Sequence, residues 1–196
     1  MLLFAHTGIT LGLALAWDKG LGRPTPFLPT KLNPEKLAGV AREIDYRLVL
    51  LGSILPDIID KPIGHIFFAE TFENNGRLFA HTLLFFLLLL SYGLFRFYRY
   101  GKIGFLVLAL CSGFHLILDE MWHAAATLLW PLMGWDFPET DLIDLEDWLR
   151  TMGKAAQTEP LIYISETIGL VILLVFALKL WKNENLLHFI RQGTLR

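Results

Sequence analysis

The chain has 196 residues, enough for one domain, and 54% of them are hydrophobic while only 18% are charged. A soluble domain carries about 25% charged residues, so this balance and a mean hydropathy of +0.49 indicate lipid as the solvent for much of the chain. The formal net charge of −2 gives no basis for a nucleic-acid partner, and Cys111, the single cysteine, excludes an intrachain disulfide and a cysteine-based zinc cluster.

Five apolar segments follow one another along the sequence, and a transmembrane helix needs about 20 mainly apolar residues. Residues 1–17 are apolar but short, and could be a signal peptide, although they lack a basic start. Residues 48–59 are shorter still and could form a re-entrant piece. Residues 78–97, 103–133 (interrupted by charge near its middle) and 160–181 are the stronger spans. The sequence therefore predicts an all-α bundle of about five transmembrane helices, forming a single membrane domain over 1–196.

Basic residues set the predicted orientation of these spans. If each segment crosses once from an outside N-terminus, four of the 17 basic residues lie outside and 13 lie inside, as the positive-inside rule requires. The four outside are Lys61, Arg77, Arg150 and Lys154. We therefore expect an inner loop at 18–47, an acidic outer loop at 134–159 with a short amphipathic helix around 142–152, and a cytoplasmic C-terminus.

Ionisable side chains inside or beside the spans form the most informative pattern, because such groups are costly in a bilayer and are usually functional. On a continuous helix, His115, Asp119 and His123 share one face at i, i+4 and i+8, with donors about 6 Å apart along the axis. That spacing suits one metal ion, or two ions bridged by Asp119. Facing helices would add further ligands near the outer face: His6, Asp57 and His81.

Each member of this set also has an ordinary interpretation. A histidine in an apolar helix is more often a satisfied packing residue than a ligand, and Asp57 could cap a helix. His115 and Asp119 could instead form a proton relay. Arg77 suits the binding of a phosphate or carboxylate beside a metal, or could be an interfacial arginine that reaches for water. Glu166 could support a ligand or pair with a histidine.

At these residues the sequence resembles the membrane-bound metal-dependent hydrolases, also described as LexA-binding, inner-membrane-associated hydrolases. The matching pieces are AHTGITLG, LGSILPDIID, GRLFAHTLLF and GFHLILDEMWHAAATLLWP, in that order. The resemblance implies metal-ligand roles and a role for Arg77 in the site. The implied ligands are His6, Asp57, His81, His115 and Asp119.

One departure from the family pattern concerns position 76. The family's histidine–arginine pair appears here as Gly76–Arg77, so the histidine is missing, and His65 or His123 could replace it. The family is also distantly similar to zinc-dependent phospholipase C, which implies phosphoester substrates.

The leading functional prediction is metal-dependent hydrolysis of a phosphoester in a lipid or lipid-linked molecule at the outer membrane face. Zinc is the expected ion, with manganese or iron as alternatives, because only His, Asp and Glu ligands are available. Asp119 or Asp60 would act as the base, and Arg77 would stabilise the phosphate charge. The alternatives are a metal-ion or proton transporter that uses the same residues, and a non-catalytic membrane scaffold stabilised by metal.

Overall fold

The computed structural model describes residues 3–18, 44–139, 145–182 and 186–195. The predicted inner loop at 18–47 falls largely outside the described residues, as do residues 140–144 of the predicted outer loop. Within the described ranges the chain is helical and has no strand, which confirms the all-α prediction. The α-helices in chain order are α1 (Leu3–Ala16), α2 (Tyr46–Pro62), α3 (Leu83–Tyr100), α4 (Gly104–Leu118), α5 (Ala125–Leu128), α6 (Leu145–Thr158), α7 (Pro160–Lys182) and α8 (Leu186–Gln192).

Local sequence explains where the clearest span, α3, begins and ends. Thr82 precedes it in an extended conformation, and its hydroxyl accepts a hydrogen bond from the Phe85 backbone N–H at 3.0 Å. This satisfies one of the donors that a helix start leaves open. At the other end Gly101 adopts a left-handed φ of 65°, which a glycine accepts without steric cost. Apolar side chains fill the helix between these caps.

Two helices, α3 and α7, are long and apolar enough to cross a membrane. A third span results if α4 and the bent segment that follows it count as one broken crossing. Helix α1 is apolar but has 14 residues, so it is about 21 Å long and falls short of the roughly 30 Å hydrocarbon core. The structure therefore supports a membrane protein with two or three spans within the described residues, and does not confirm five.

The bend after α4 corrects one prediction. The helix ends at Leu118, Glu120 takes a left-handed φ of 51°, and the next helical segment departs by 81°. His123 therefore does not lie on a common helical face with His115 and Asp119. The spacing i, i+4, i+8 places three residues on one face only if the helix is uninterrupted. Here the helix ends at Leu118, and Asp119 contacts residues from other segments.

The helices pack as a bundle in which α1 contacts α7 and α2, and α4 contacts α2 and α3. Gly8 of α1 lies directly against Gly169 of α7, and a Cβ built on either glycine would come within about 2.1 Å of backbone atoms of the other helix. Small residues let membrane helices approach this closely, since lipid supplies little hydrophobic drive for their association. The contact fixes the position of α1, which carries His6.

The end of the bundle opposite to the candidate site is held by a polar clamp. The Tyr46 hydroxyl donates to Asp18 at 2.7 Å, and the Arg47 side chain pairs with Asp45 and donates to the Ile190 carbonyl. The Arg47 guanidinium holds the pKa of Asp45 below its ordinary value. Between this clamp and the candidate site lies an apolar core that includes Leu11, Val49 and Phe176.

Candidate metal centre

Four segments of the chain bring histidine and aspartate side chains together at one end of the bundle. Two overlapping groups of three have ligand atoms that all lie within 4.8 Å of one another. One contains His6, His115 and Asp119, and the other contains Asp57, His81 and His115. The three histidines are fully buried, and the two aspartates are nearly so. Five of the seven candidate ligands predicted from the sequence therefore converge, although they lie up to 113 positions apart along the chain.

The orientation of His115 is set by the backbone of α2. Its Nδ1 lies 2.7 Å from the carbonyl oxygen of Ser53, and a carbonyl can only accept a hydrogen bond. The hydrogen of a neutral His115 is therefore on Nδ1. Its Nε2 carries the lone pair and points into the cluster.

Asp60 sets the orientation and the tautomer of the His81 ring in the same way. The Nδ1 of His81 lies 2.7 Å from Oδ2 of Asp60. The fully buried Asp60 carboxylate also accepts the backbone N–H groups of Leu78, Ala80 and His81 at 2.8–3.0 Å. Because Asp60 accepts from all of them, His81 donates through Nδ1 and its Nε2 faces the cluster. Histidine ligands of metals are commonly held by a carboxylate in this way.

The two Nε2 atoms then face each other at 3.3 Å, with Asp57 Oδ1 at 3.5 Å from His81 and 3.8 Å from His115. When both rings are neutral, all three atoms are acceptors, and they repel one another unless a metal ion or a proton lies between them. Bonds from zinc to nitrogen are about 2.0–2.1 Å long, so adjacent ligand atoms of a tetrahedral zinc ion lie about 3.3–3.4 Å apart. The observed spacing and donor types fit a bound divalent metal ion.

Asp119 links this cluster to the protein surface. Its Oδ1 lies 3.0 Å from Nε2 of His6, and its Oδ2 lies 2.9 Å from Nη2 and 3.0 Å from Nε of Arg77. The carboxylate is nearly buried, while Arg77 is 47% exposed. The His6 ring stacks on His115 with centroids 4.1 Å apart. Asp119 thus stands between the buried histidines and an accessible guanidinium.

The two groups share His115, and this limits how metal can occupy them. The Nδ1 of His115 is already bound to Ser53, so only the Nε2 lone pair is available, and one lone pair binds one ion. An ion held by His115 therefore takes its other ligands from one group or from both. Two ions would require that one of them binds without His115.

Two further candidate ligands lie outside these groups. The ring of His65 fills the space beside Gly76, where a Cβ would lie 2.5 Å from Nε2 of His65. Burial, together with the Lys61 ammonium, lowers the pKa of His65. His123 is 73% exposed and lies 3.4 Å from Glu120. Neither histidine joins a group of converging ligands among the described residues. The His65 ring does, however, occupy the space that a side chain at position 76 would need.

Two side chains, Glu166 and Asn75, make contacts that the sequence did not predict. Glu166, the lone acid of α7, accepts from the backbone N–H groups of Phe4 and Ala5 at 3.0 and 3.1 Å, and so caps the start of α1. Asn75 accepts from the Arg77 N–H and donates to the Pro138 carbonyl, which joins the Arg77 loop to the segment after α5. An Asn-Gly pair is a turn signal that marks Asn75, whereas no local signal pairs Glu166 with α1.

Fold and site together define a helical membrane protein whose buried histidine and aspartate side chains could hold a metal ion. Residues 1–186 match the model of the family described as YdjM inner membrane protein, and the chain belongs to that family. This confirms the inner-membrane family character that the motifs predicted, while hydrolase activity stays a prediction. No curated protein and no solved structure matches the chain significantly.

Proposed function

We propose that this protein is a metal-dependent hydrolase that cleaves a phosphoester in a lipid or lipid-linked substrate. The observation that carries the proposal is the pair of facing Nε2 acceptors of His81 and His115, flanked by Asp57, next to the guanidinium of Arg77. A cation satisfies the acceptors, and an arginine beside a cation is suited to the negative charge of a phosphate.

The residues divide into a binding set and a reacting set. Asp57, His81 and His115 would hold the cation, and Asp60 would keep His81 in the tautomer that binds it. Because every described hydrogen bond of the Asp60 carboxylate is to the backbone of residues 78–81 or to the His81 ring, we assign Asp60 a positioning role in place of the base role predicted from sequence. A divalent ion there would supply Lewis-acid activation of water and of the phosphoryl oxygen.

Asp119 and Arg77 form the reacting set. Asp119 lies 3.9 Å from Nε2 of His81 and contacts the exposed guanidinium of Arg77, so it would take a proton from the attacking water. Arg77 would exchange part of its contact with Asp119 for the substrate phosphate and stabilise its developing charge. Its 47% exposure leaves room for that approach.

A transport path receives less support from the same structure. A transporter needs polar groups that continue beyond the cluster to the other end of the bundle. Beyond the buried hydroxyls of Thr10 and Ser112, the described core is formed by apolar side chains such as Leu11, Val49 and Phe176. We therefore place the chemistry at one end of the bundle.

The test is hydrolysis of phospholipid vesicles by the purified full-length protein, with released phosphate or headgroup phosphate measured. We expect turnover that a chelator stops and added zinc or manganese restores. His81→Ala and His115→Ala should be inactive, whereas His123→Ala, which changes an exposed histidine outside the cluster, should retain activity. A wild-type protein that binds metal stoichiometrically and cleaves no phosphodiester would overturn the proposal.

A further inference from the structure

An aromatic cavity lies beside the candidate metal centre. It has a volume of about 520 Å³ and is bordered by the segment 71–73, Phe79, Trp130 and the segment 135–139. Phe79 is the point of contact with the site, since it lies two residues before His81 in the same 3₁₀ turn. The neighbouring residues of that turn donate their backbone N–H groups to Asp60.

Four aromatic rings form one continuous wall of this cavity. Phe79 meets Phe72, Trp130 and Phe137 edge to face, with centroids 5.8, 5.4 and 5.0 Å apart. Trp130 and Phe137 stack at 5.4 Å, and the Trp130 indole N–H donates to the carbonyl of Trp135. The wall is therefore built by mutual ring packing and a backbone contact, and it presents ring faces and edges to the space within.

The charged residues at this cavity all have one sign. Glu73, Asp136 and Glu139 line it, and none of the described lysine, arginine or histidine residues does. Asp136 and Glu139 have no ion pair with any described residue. Aromatic rings combined with carboxylates are the surroundings that an alkylammonium group prefers, because ring faces and carboxylates both attract its positive charge.

The position of the cavity indicates that the alkylammonium group belongs to a membrane lipid. Helix α3, a candidate span, begins at Leu83, four residues after Phe79, so the cavity lies at the end of a span. Tryptophans at this level, here Trp130 and Trp135, are typical of the headgroup region. Asn75 ties the cavity segment at Pro138 to the loop that carries Arg77.

We propose that this cavity binds the ammonium group of a zwitterionic phospholipid, while Arg77 contacts the phosphate of the same headgroup. The inference rests on the proposed function, since it names the headgroup class that the hydrolase accepts. Choline and ethanolamine headgroups both place an ammonium a short chain away from the phosphate. Lipids without a positive charge lack a partner for the carboxylates.

Binding is measured by calorimetric titration of the full-length protein in a non-ionic detergent, after chelator treatment, with dihexanoyl-phosphocholine and dihexanoyl-phosphoglycerol. We expect the phosphocholine probe to bind at least fivefold more tightly. The double variant D136N/E139Q and the single variant Trp130→Leu should each weaken phosphocholine binding about fivefold to tenfold, in line with cation–aromatic energies of about 1 kcal/mol. Free choline should bind more weakly than the lipid, because it lacks the phosphate.

Matched controls keep the result interpretable. Trp181→Leu and Glu159→Gln remove an exposed tryptophan and an exposed carboxylate outside the cavity, and should change neither affinity. Equal affinity for the two probes, or full affinity in the double variant, would overturn the inference, as would preferential binding of a glycosylated lipid. Because the protein is free of metal in this assay, ammonium selectivity without hydrolysis would refute the proposed function alone, and hydrolysis without selectivity would refute the cavity alone.

Discussion

The Nε2 atoms of His81 and His115 face each other at 3.3 Å, and the Nδ1 atoms of both rings are already engaged, one by Asp60 and one by the Ser53 carbonyl. Neither ring can turn without losing a buried hydrogen bond, whose loss leaves an unsatisfied group and costs about 1–3 kcal/mol. The facing lone pairs are therefore a fixed feature of the fold, and a cation between them would relieve their repulsion.

Metal should stabilise the folded protein. Adding zinc to chelator-treated protein should raise its unfolding temperature, since an ion at 100 times its Kd stabilises the folded state by about 2.7 kcal/mol. The measurement is thermal unfolding in detergent, paired with elemental analysis. His115→Ala should lose both the bound metal and the shift, and His123→Ala should behave as wild type. A zinc-induced shift of equal size in His115→Ala would show that the ion binds elsewhere.

Asp60→Asn should weaken metal binding without touching a metal ligand. An amide holds His81 less firmly than a carboxylate does, and changes of this kind cost about 10–100-fold in metal affinity. Competition with a chromophoric chelator measures the affinity. Ser53→Ala is the matched control, because the contact to His115 comes from the Ser53 backbone carbonyl and survives the substitution. An unchanged affinity in Asp60→Asn would refute the positioning role.

Arg77→Gln should impair turnover but leave metal content intact. The guanidinium contacts Asp119 and is accessible, while the buried acceptors of the other group do not depend on it. Loss of one charge-stabilising donor costs about 100-fold in turnover. The check is kcat on phospholipid vesicles beside elemental analysis of the same sample. If metal is lost along with activity, Arg77 serves the stability of the cluster instead.

Gly169→Ala should destabilise the bundle and disturb His6. A Cβ at Gly169 would lie 2.0 Å from the Phe4 carbonyl oxygen, so α1 must shift, and overpacking of this kind costs about 1–3 kcal/mol. Gly153→Ala in α6 is the control, since a Cβ there meets nothing within 4 Å and alanine favours a helix interior. Denaturant titration should show a loss in the first variant and none in the second. Equal stability of the two variants would mean that the α1–α7 contact is looser than described.

The sequence by itself determined that lipid surrounds much of this protein and which ionisable side chains are candidates for its site. Hydropathy is a local and additive property, so the apolar runs predicted α3 and α7 without knowledge of their neighbours. Ionisable residues are rare in such runs, so His6, His81 and His115 were recognisable as candidate metal ligands. Their polar ring atoms need partners from other segments of the chain.

Only the tertiary structure decided which atoms meet. The sequence shows that Asp60 and Glu166 are acids beside or within apolar segments, but it does not show their hydrogen-bond partners, which lie 18 to 162 positions away along the chain. The turn at Glu120 removed His123 from the face of His115, and the room beside Gly76 was filled by His65. Such outcomes depend on helix rotation, on close glycine contacts and on hydrogen bonds between distant segments, whose free energies are set by the packed bundle and not by the local sequence.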